Sequence, residues 1–448
     1  RVSEITIAAI QAELDDVALS LYGLGVADRS ALTSTITPES AEDDSGEDEE
    51  EEADAPASAA DLLDYAVGTT FGRWDVRIAI DPSLVPKMAD PFDPLPVCPP
   101  GMLVRPDGLP AEPGRIVSEA WLRARPDANT MPREGSLKKP TIPDSDYPFR
   151  ISWDGILVDD PGFNGAQPHR DDIVRRVREV LDLLWKDKSH EIEQEACDIL
   201  AVTDLRSYFR KDFFSDHITR YSNSRRKAPI YWQLSTPSEA YSVWLYYHRF
   251  TKDTFYKVLN EFVAPKLQFE ERELANARQG HGPSPTASQR KEIAAREAFV
   301  AELKTFKEEV ARVAPLWNPD LNDGVIINFA PLWRLVGQNR AWQKECKACW
   351  DKLVAGDYDW AHLAMHLWPE RVVPKCAKDR SLAIAHDLEN AFWEEDKNGK
   401  LVPKKVPKEA VEALIKERTS PAVKAALEDL LKASVSNGTV GRKGKKKV

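Results

Sequence analysis

The chain has 448 residues, with five Cys, 32 Pro, 13 Trp and a formal charge of −12. That length allows roughly two to four domains with real cores, and 42% hydrophobic with 30% charged residues is ordinary for a soluble globular protein. Five scattered cysteines are too few for a disulfide framework and point to a reducing, cytoplasmic compartment. No apolar run of about 18 residues is present to cross a membrane.

The sequence starts at Arg1, with neither Met nor a signal-peptide pattern, and reads as a piece of a longer polypeptide. Its charge is unevenly spread. Residues 39–54 hold eleven acidic side chains and no base, and taking these away from −12 leaves −1. At the other end, Arg442-Lys443-Gly444-Lys445-Lys446-Lys447 carries +5. A nearly neutral body leaves room for a local basic face toward a polyanion.

In chain order, Ile7, Ile10, Leu14, Val17 and Leu21 predict a helix over 4–21, stopped at Gly23. The acidic stretch repels itself and is expected to be a solvated or disordered loop, within 36–60. Leu62, Leu63, Tyr65, Ala66, Val67 and Phe71 predict a helix over 58–72. Residues 81–148 contain 15 of the prolines, which favours an extended wrapping segment anchored by Ile116 and Trp121. Phe149 to Ile156 alternates and predicts a short strand with a hairpin turn.

Helices are expected over 170–186 and 190–201, then two strands at 230–234 and 242–247, rich in aromatic and β-branched residues. Two long helical patterns follow at 252–279 and 288–313, the first bent at Pro265. The breaker cluster Gly280-His281-Gly282-Pro283-Ser284-Pro285 joins them as an antiparallel hairpin. A compact helical region covers 331–395 and a basic helical tail follows. The fold class is therefore α+β: mainly helical, with a β-rich region and a long helical hairpin. The expected segments are 1–35, 36–60, 61–148, 149–250, 251–314, 315–400 and 401–448.

Cys346-x2-Cys349 followed by His362-x3-His366 has the spacing of a two-Cys, two-His zinc finger. However, Trp342, Cys346, Cys349, Trp350 and Leu353 share one helical stripe, which predicts core cysteines. Asp359 stands where a finger has an apolar anchor. His362, His366 and Glu370 share a helical face, but Leu363 replaces the Glu a zinc protease needs. The helix is expected to turn Trp360, Leu363 and Leu367 inward. No Gly-rich phosphate loop or nucleophile elbow is present.

The most suggestive cluster is Arg220-Tyr221-Ser222-Asn223-Ser224-Arg225-Arg226-Lys227, leading into Tyr231, with Arg210 and Lys211 upstream and Arg249 downstream. Such side chains donate to phosphate oxygens, and Arg also addresses guanine edges. Arg220, Ser222, Asn223, Arg225, Arg226, Lys227, Tyr231 and Arg249 are the candidate DNA contacts.

Several long strings carry a resemblance. They are Ser222 to Pro237; Tyr241 to Arg249; Glu13 to Gly23; Phe71-Gly72-Arg73-Trp74-Asp75-Val76-Arg77; Asp323 to Leu332; and Met365 to Val372. The chain resembles, over roughly residues 10–395, the C-terminal half of adenine-specific DNA methyltransferases of bacterial phage-defence systems. These are the BREX (PglX-type) and DISARM enzymes, which look like type IIG restriction-modification enzymes.

The resemblance implies a target-recognition region within 149–250, a spacer-like hairpin, and double-stranded DNA as partner. Such enzymes bind S-adenosylmethionine through a Gly-containing loop and hold a flipped adenine at an Asn/Asp-Pro-Pro-Tyr/Phe motif. Neither occurs in this sequence, so no cofactor or catalytic residue is assigned to it. The methyl-transferring half is expected upstream of Arg1 or on another chain, with other phage-defence subunits as further partners. Two other readings remain open: a protein-interaction scaffold of a phage-defence complex, and a zinc-dependent nucleic-acid binder.

Overall fold

The structure, a computed structural model, describes residues 48–84, 98, 101–105, 109–114, 116–117, 141–142, 146–162, 168–223, 226–280, 286–397 and 399–433. The expected helix over 4–21, acidic residues 39–47, Trp121, Ser224, Arg225, residues 281–285 and the tail from 434 lie outside these. Residues 1–54 and 55–448 are separate units. The expected boundaries after 148, 250, 314 and 400 all fall inside the second.

In the first unit only a helical stretch from Asp48 is described. It belongs to the helix Asp48–Thr70, so residues 48–54 are helical where a loop was expected. Glu and Ala are strong helix formers, and acidic residues are favoured in the first turns by the helix dipole. The amphipathic segment behind them (Leu63, Ala66 and Val67 fully buried) supplies the nucleus.

Asp75 caps the short helix Val76–Ile80 by accepting from the Arg77 N–H. In the Pro-rich segment, isolated antiparallel bridges join Trp74 to Met102 and Val104 to Pro110. The strands Ile116–Val117 and Thr141–Ile142 pair with each other. Phe149 to Ser152 is not a strand. The chain turns at Trp153-Asp154, Gly155 takes φ +70°, and the strand Ile156–Asp159 starts only afterwards. A Cβ at Gly155 would also sit 2.6 Å from Arg249 Cβ.

A three-stranded antiparallel sheet forms the centre. Ser242–Tyr246 lies between Ile156–Asp159 and Tyr231–Ser235, with Leu157 and Gln233 both opposite Trp244. Every residue of the three strands is buried. One face (Tyr231, Trp244, Tyr246) packs on Phe71, Phe213, Phe214 and His217. The other turns Trp232 onto Phe329 at 4.0 Å, and onto Tyr247, Phe250 and Trp317. Helices thus cover both faces, which explains why the strands read as continuous apolar runs.

On the first face lie Ile173–Trp185, Ser189–Ile199, Leu205–Lys211 and Phe213–Arg220. The first is sharply amphipathic, burying Ile173, Val174, Val177, Val180 and Leu181 beneath an Asp172 cap. The helical hairpin is Ala264–Gly280 against Ala287–Val313, the latter opened by a Thr286–Gln289 capping box. Ahead of Pro265 the chain widens into a π-helical turn over Val258–Val263. The proline ring would crowd the carbonyl four residues back, and the wider turn makes room for it.

The C-terminal block holds Arg340–Ala355, His362–Leu367, Pro369–Cys376, Arg380–Ala385 and Glu389–Phe392. The tail is not a free appendage. Pro421–Lys432 buries Val423, Leu427 and Leu430, and Arg334 donates to the Leu430 and Ala433 carbonyls at its end. None of the described helices is long and apolar enough to cross a membrane.

Candidate nucleic-acid interface

The basic run at 220–227 begins at a helix end and carries two short strands that pair with each other. Helix Phe213–Arg220 ends, and Ser222–Asn223 pairs antiparallel with Arg226–Lys227, Asn223 opposite Arg226. Two of its four cations, Arg220 and Lys227, are already matched. Arg220 meets Asp61 at 2.7 Å and Asp64 at 3.5 Å, and Lys227 pairs with Glu345. The Ser222 hydroxyl donates to the Ile218 carbonyl. Arg226 is exposed to solvent. Ser224 and Arg225 lie outside the described residues.

Burial corrects one expected contact, Tyr231, and the structure gives another, Arg249, an additional role. Tyr231 is fully buried, stacked on His217 at 4.6 Å, with its hydroxyl accepting from Arg73 at 3.4 Å. It is a core residue whose side chain is closed off from a duplex, because helices cover both faces of the sheet that carries it. Arg249 is half-buried, lies 4.8 Å above the Trp153 ring and donates to the Ala111 carbonyl. It braces the wrapping segment as well as carrying charge.

Beneath the hairpin sits a polar layer that sequence reasoning missed. His217 Nδ1 lies 2.9 Å from Asp64 Oδ1, and its Nε2 accepts from the Ile230 and Tyr231 N–H groups, both at 3.0 Å. An Nε2 that accepts carries no proton, so the ring is neutral and Nδ1–H donates to Asp64. Burial lowers the His217 pKa, outweighing the pull of Asp64. The ring locks the entry of the strand Tyr231–Ser235 to the helix Asp48–Thr70. Gly68 on that helix makes the approach possible, since a Cβ there would fall 2.7 Å from the Tyr231 hydroxyl.

Arg73 caps this layer. Its guanidinium stands 4.4 Å from the Trp74 ring centroid, and one nitrogen donates to the hydroxyls of Tyr221 (2.6 Å) and Tyr231 (3.4 Å). Burial alone would lower its pKa, but Tyr231 and Tyr221 outweigh that and hold it above the usual value. The His248 pKa is lowered by burial and then by Arg73 and Arg249, so the three basic groups lie within electrostatic reach of one another. The sequence signal for Arg73 was its place in the string Phe71 to Arg77; nothing in composition marked it.

The zinc-finger spacing does not form a site. Cys346 and Cys349 point into the core beside Trp342, Trp350 and Leu353. Burial pushes the Cys346 thiol well up and that of Cys349 to about 12. His362 instead meets Asp323, and His366 is half-buried. The helix also breaks at Trp368, which separates Glu370 from both. Asp359 proves to be a buried anchor of another kind. It binds Arg371 and Lys375, and Arg371 also caps the Leu353 and Val354 carbonyls. Trp360, expected to face inward, is 46% exposed.

Among the described residues, one group could hold a cation: Asp320, Asp323 and His362. Yet Asp323 already accepts from the His362 and Leu363 N–H groups (2.8 Å each) and from His362 Nδ1 (2.9 Å). That geometry satisfies the carboxylate as a helix cap without an ion. Two other charged places are self-neutralised. A cleft lined by Arg178, Arg206 and Arg210 matches them with Glu193, Asp159 and Asp172. A cavity of about 230 Å³ beside the π turn holds Lys266, paired to Asp160 and Glu270 at 2.7 Å each.

No protein-family model matches the chain, and no curated protein matches it.

Proposed function

We propose that this chain is the DNA-binding, target-recognition part of an adenine-specific DNA methyltransferase of a phage-defence or restriction-modification system. The long strings quoted above support this reading, and so does one structural observation. The hairpin at 222–227 is braced to the body on both sides by ion pairs, through Arg220 and Lys227, while Arg226 between them is exposed. A braced strand pair offering an exposed guanidinium, unpaired among the described residues, suits phosphate or base-edge contact.

S-adenosylmethionine would be held by a separate methyl-donating half. The sheet here is antiparallel throughout, whereas a cofactor loop of that type follows a strand of a parallel sheet. No methyl-transfer step is therefore assigned to these residues. Double-stranded DNA, the methyltransferase half and other phage-defence subunits are the proposed partners.

The test is duplex binding followed by fluorescence anisotropy across a salt series. Arg226→Ala is expected to weaken binding for all sequences alike and to flatten the slope of log K against log salt by about one. Unchanged affinity and slope would remove the hairpin from the interface.

A further inference from the structure

Arg73 differs from the other half-buried arginines of the sheet region in what surrounds it. Arg206 and Arg210 face Asp159 or Asp172, and Arg220 faces Asp61. Among the described residues, no carboxylate lies within ion-pair reach of Arg73; its only hydrogen-bond partners are two phenol hydroxyls. Both bonds use the same nitrogen, Nη1. The Nε–H and the two hydrogens on Nη2, three of the five donors of the fork, make no bond to a described residue.

Orientation is nevertheless fixed. Trp74 lies against the guanidinium at 4.4 Å, the Tyr221 ring stands 5.6 Å away, and the bond to the Tyr221 hydroxyl is 2.6 Å. Tyr246, on the central strand, links the two arginines: its ring lies 5.6 Å from that of Tyr231, which Arg73 meets, and its N–H donates to the carbonyl of Gly155, which packs against Arg249. Arg249 likewise has no carboxylate in ion-pair reach among the described residues. Glu112, the acidic group that faces it, is paired with Arg105 at 3.1 Å. The His248 ring stands 5.5 Å from that of Tyr246 and keeps an edge open to solvent.

A half-buried cation with no counter-charge is costly unless an anion completes the site. A planar fork with free donors, held from behind, is the geometry that suits a tetrahedral oxyanion.

We propose that Arg73, with Arg249 and His248, forms a preorganised site for one phosphate group, filled by a backbone phosphodiester of DNA. The identity of that ligand rests on the function proposed above. The fork itself would equally take a free inorganic phosphate, and the test separates the two sources. Arg73 also helps to orient Tyr221, so the site joins the base of the 222–227 hairpin to the phosphate it would grip.

The experiment uses the full chain, a labelled duplex of arbitrary sequence and, separately, inorganic phosphate. Arg73→Met is expected to weaken duplex binding about tenfold at low salt and to flatten the salt slope by about one. Arg73→Lys keeps the charge but loses the fork; it should lose about threefold with the slope unchanged. The lysine variant carries the test if the methionine variant melts early. If both Arg73 variants bind duplex as the wild type does while Arg226→Ala binds weakly, the phosphate site is overturned and the DNA reading stands. If the wild type binds no duplex, yet phosphate raises its melting temperature and does not raise that of Arg73→Lys, the site stands with free phosphate as ligand and the DNA reading falls. If the wild type binds no duplex and phosphate leaves its melting temperature unchanged, both readings are overturned.

Discussion

Two histidine–aspartate pairs, both 2.9 Å long, fasten distant parts of this chain, and protons act on them in opposite directions. His217 and Asp64 tie the strand entry to the helix Asp48–Thr70. His362 and Asp323 tie the start of the helix His362–Leu367 to a 3-10 turn 39 residues earlier. His217 is wholly buried, and its second nitrogen faces two N–H donors, which exclude a second proton. The His362 side chain is 41% exposed, with Asp320 also nearby at 3.6 Å. Burial therefore lowers the pKa of His217, whereas for His362 burial is outweighed by Asp323 and Asp320, which raise it. The same two residue types make a bolt that resists protonation in one place and a proton-strengthened clasp in the other. What decides is what the far side of the imidazole meets.

The largest expected effect comes from breaking the buried pair. His217→Ala leaves the Ile230 and Tyr231 N–H groups without their acceptor and Asp64 with Arg220 alone, so it should cost about 2–4 kcal/mol in chemical denaturation. A loss below about 1 kcal/mol would show the pair to be dispensable. Asp323→Ala removes a carboxylate that caps two N–H groups and should cost about 1–2 kcal/mol. His362→Gln, at a solvent-screened rim, should cost less than about 1 kcal/mol.

The smallest effects are the most diagnostic, since they carry opposite signs. The unfolded chain protonates His217 near pH ~6.5 and the folded chain resists. Its contribution is thus present above that pH and fades below it, and the stability gap between wild type and His217→Ala should narrow as pH falls from 7.5 to 5 (roughly the histidine range). His362 is protonated more readily when folded. Its contribution is complete below pH ~6.5 and lost as pH rises through its raised value, so the gap to His362→Gln should widen over the same descent. Gaps that move in the same direction would collapse the distinction. Urea titrations at each pH measure both.

The central strands, the helix Ile173–Trp185 and the helical hairpin were legible because each repeats a local pattern: β-branched and aromatic runs, a 3.6-residue apolar stripe, and breakers between two stripes. The Cys346–Cys349 stripe was legible for the same reason, even against a motif that spelled zinc. The acidic helix start at 48–54 was misread because charge repulsion was weighed without the helix behind it.

The interface residues divide along the same line. That residues 220–227 are basic is a fact of sequence. Which of those charges remain for a partner is not, because Asp61, Asp64 and Glu345 reach Arg220 and Lys227 from far along the chain. Tyr231 looked like a contact and is core; Arg73 looked like one residue of a string and, among the described residues, stands as a cation without a carboxylate.

Sequence by itself determined the class of fold, the order of elements and where positive charge is stored. Tertiary structure alone decided which charges are neutralised, which histidine nitrogen is free and which aromatic ring is covered. Local patterns depend on neighbours within one or two turns, whereas electrostatic pairing and burial depend on groups that only folding brings within a few ångströms.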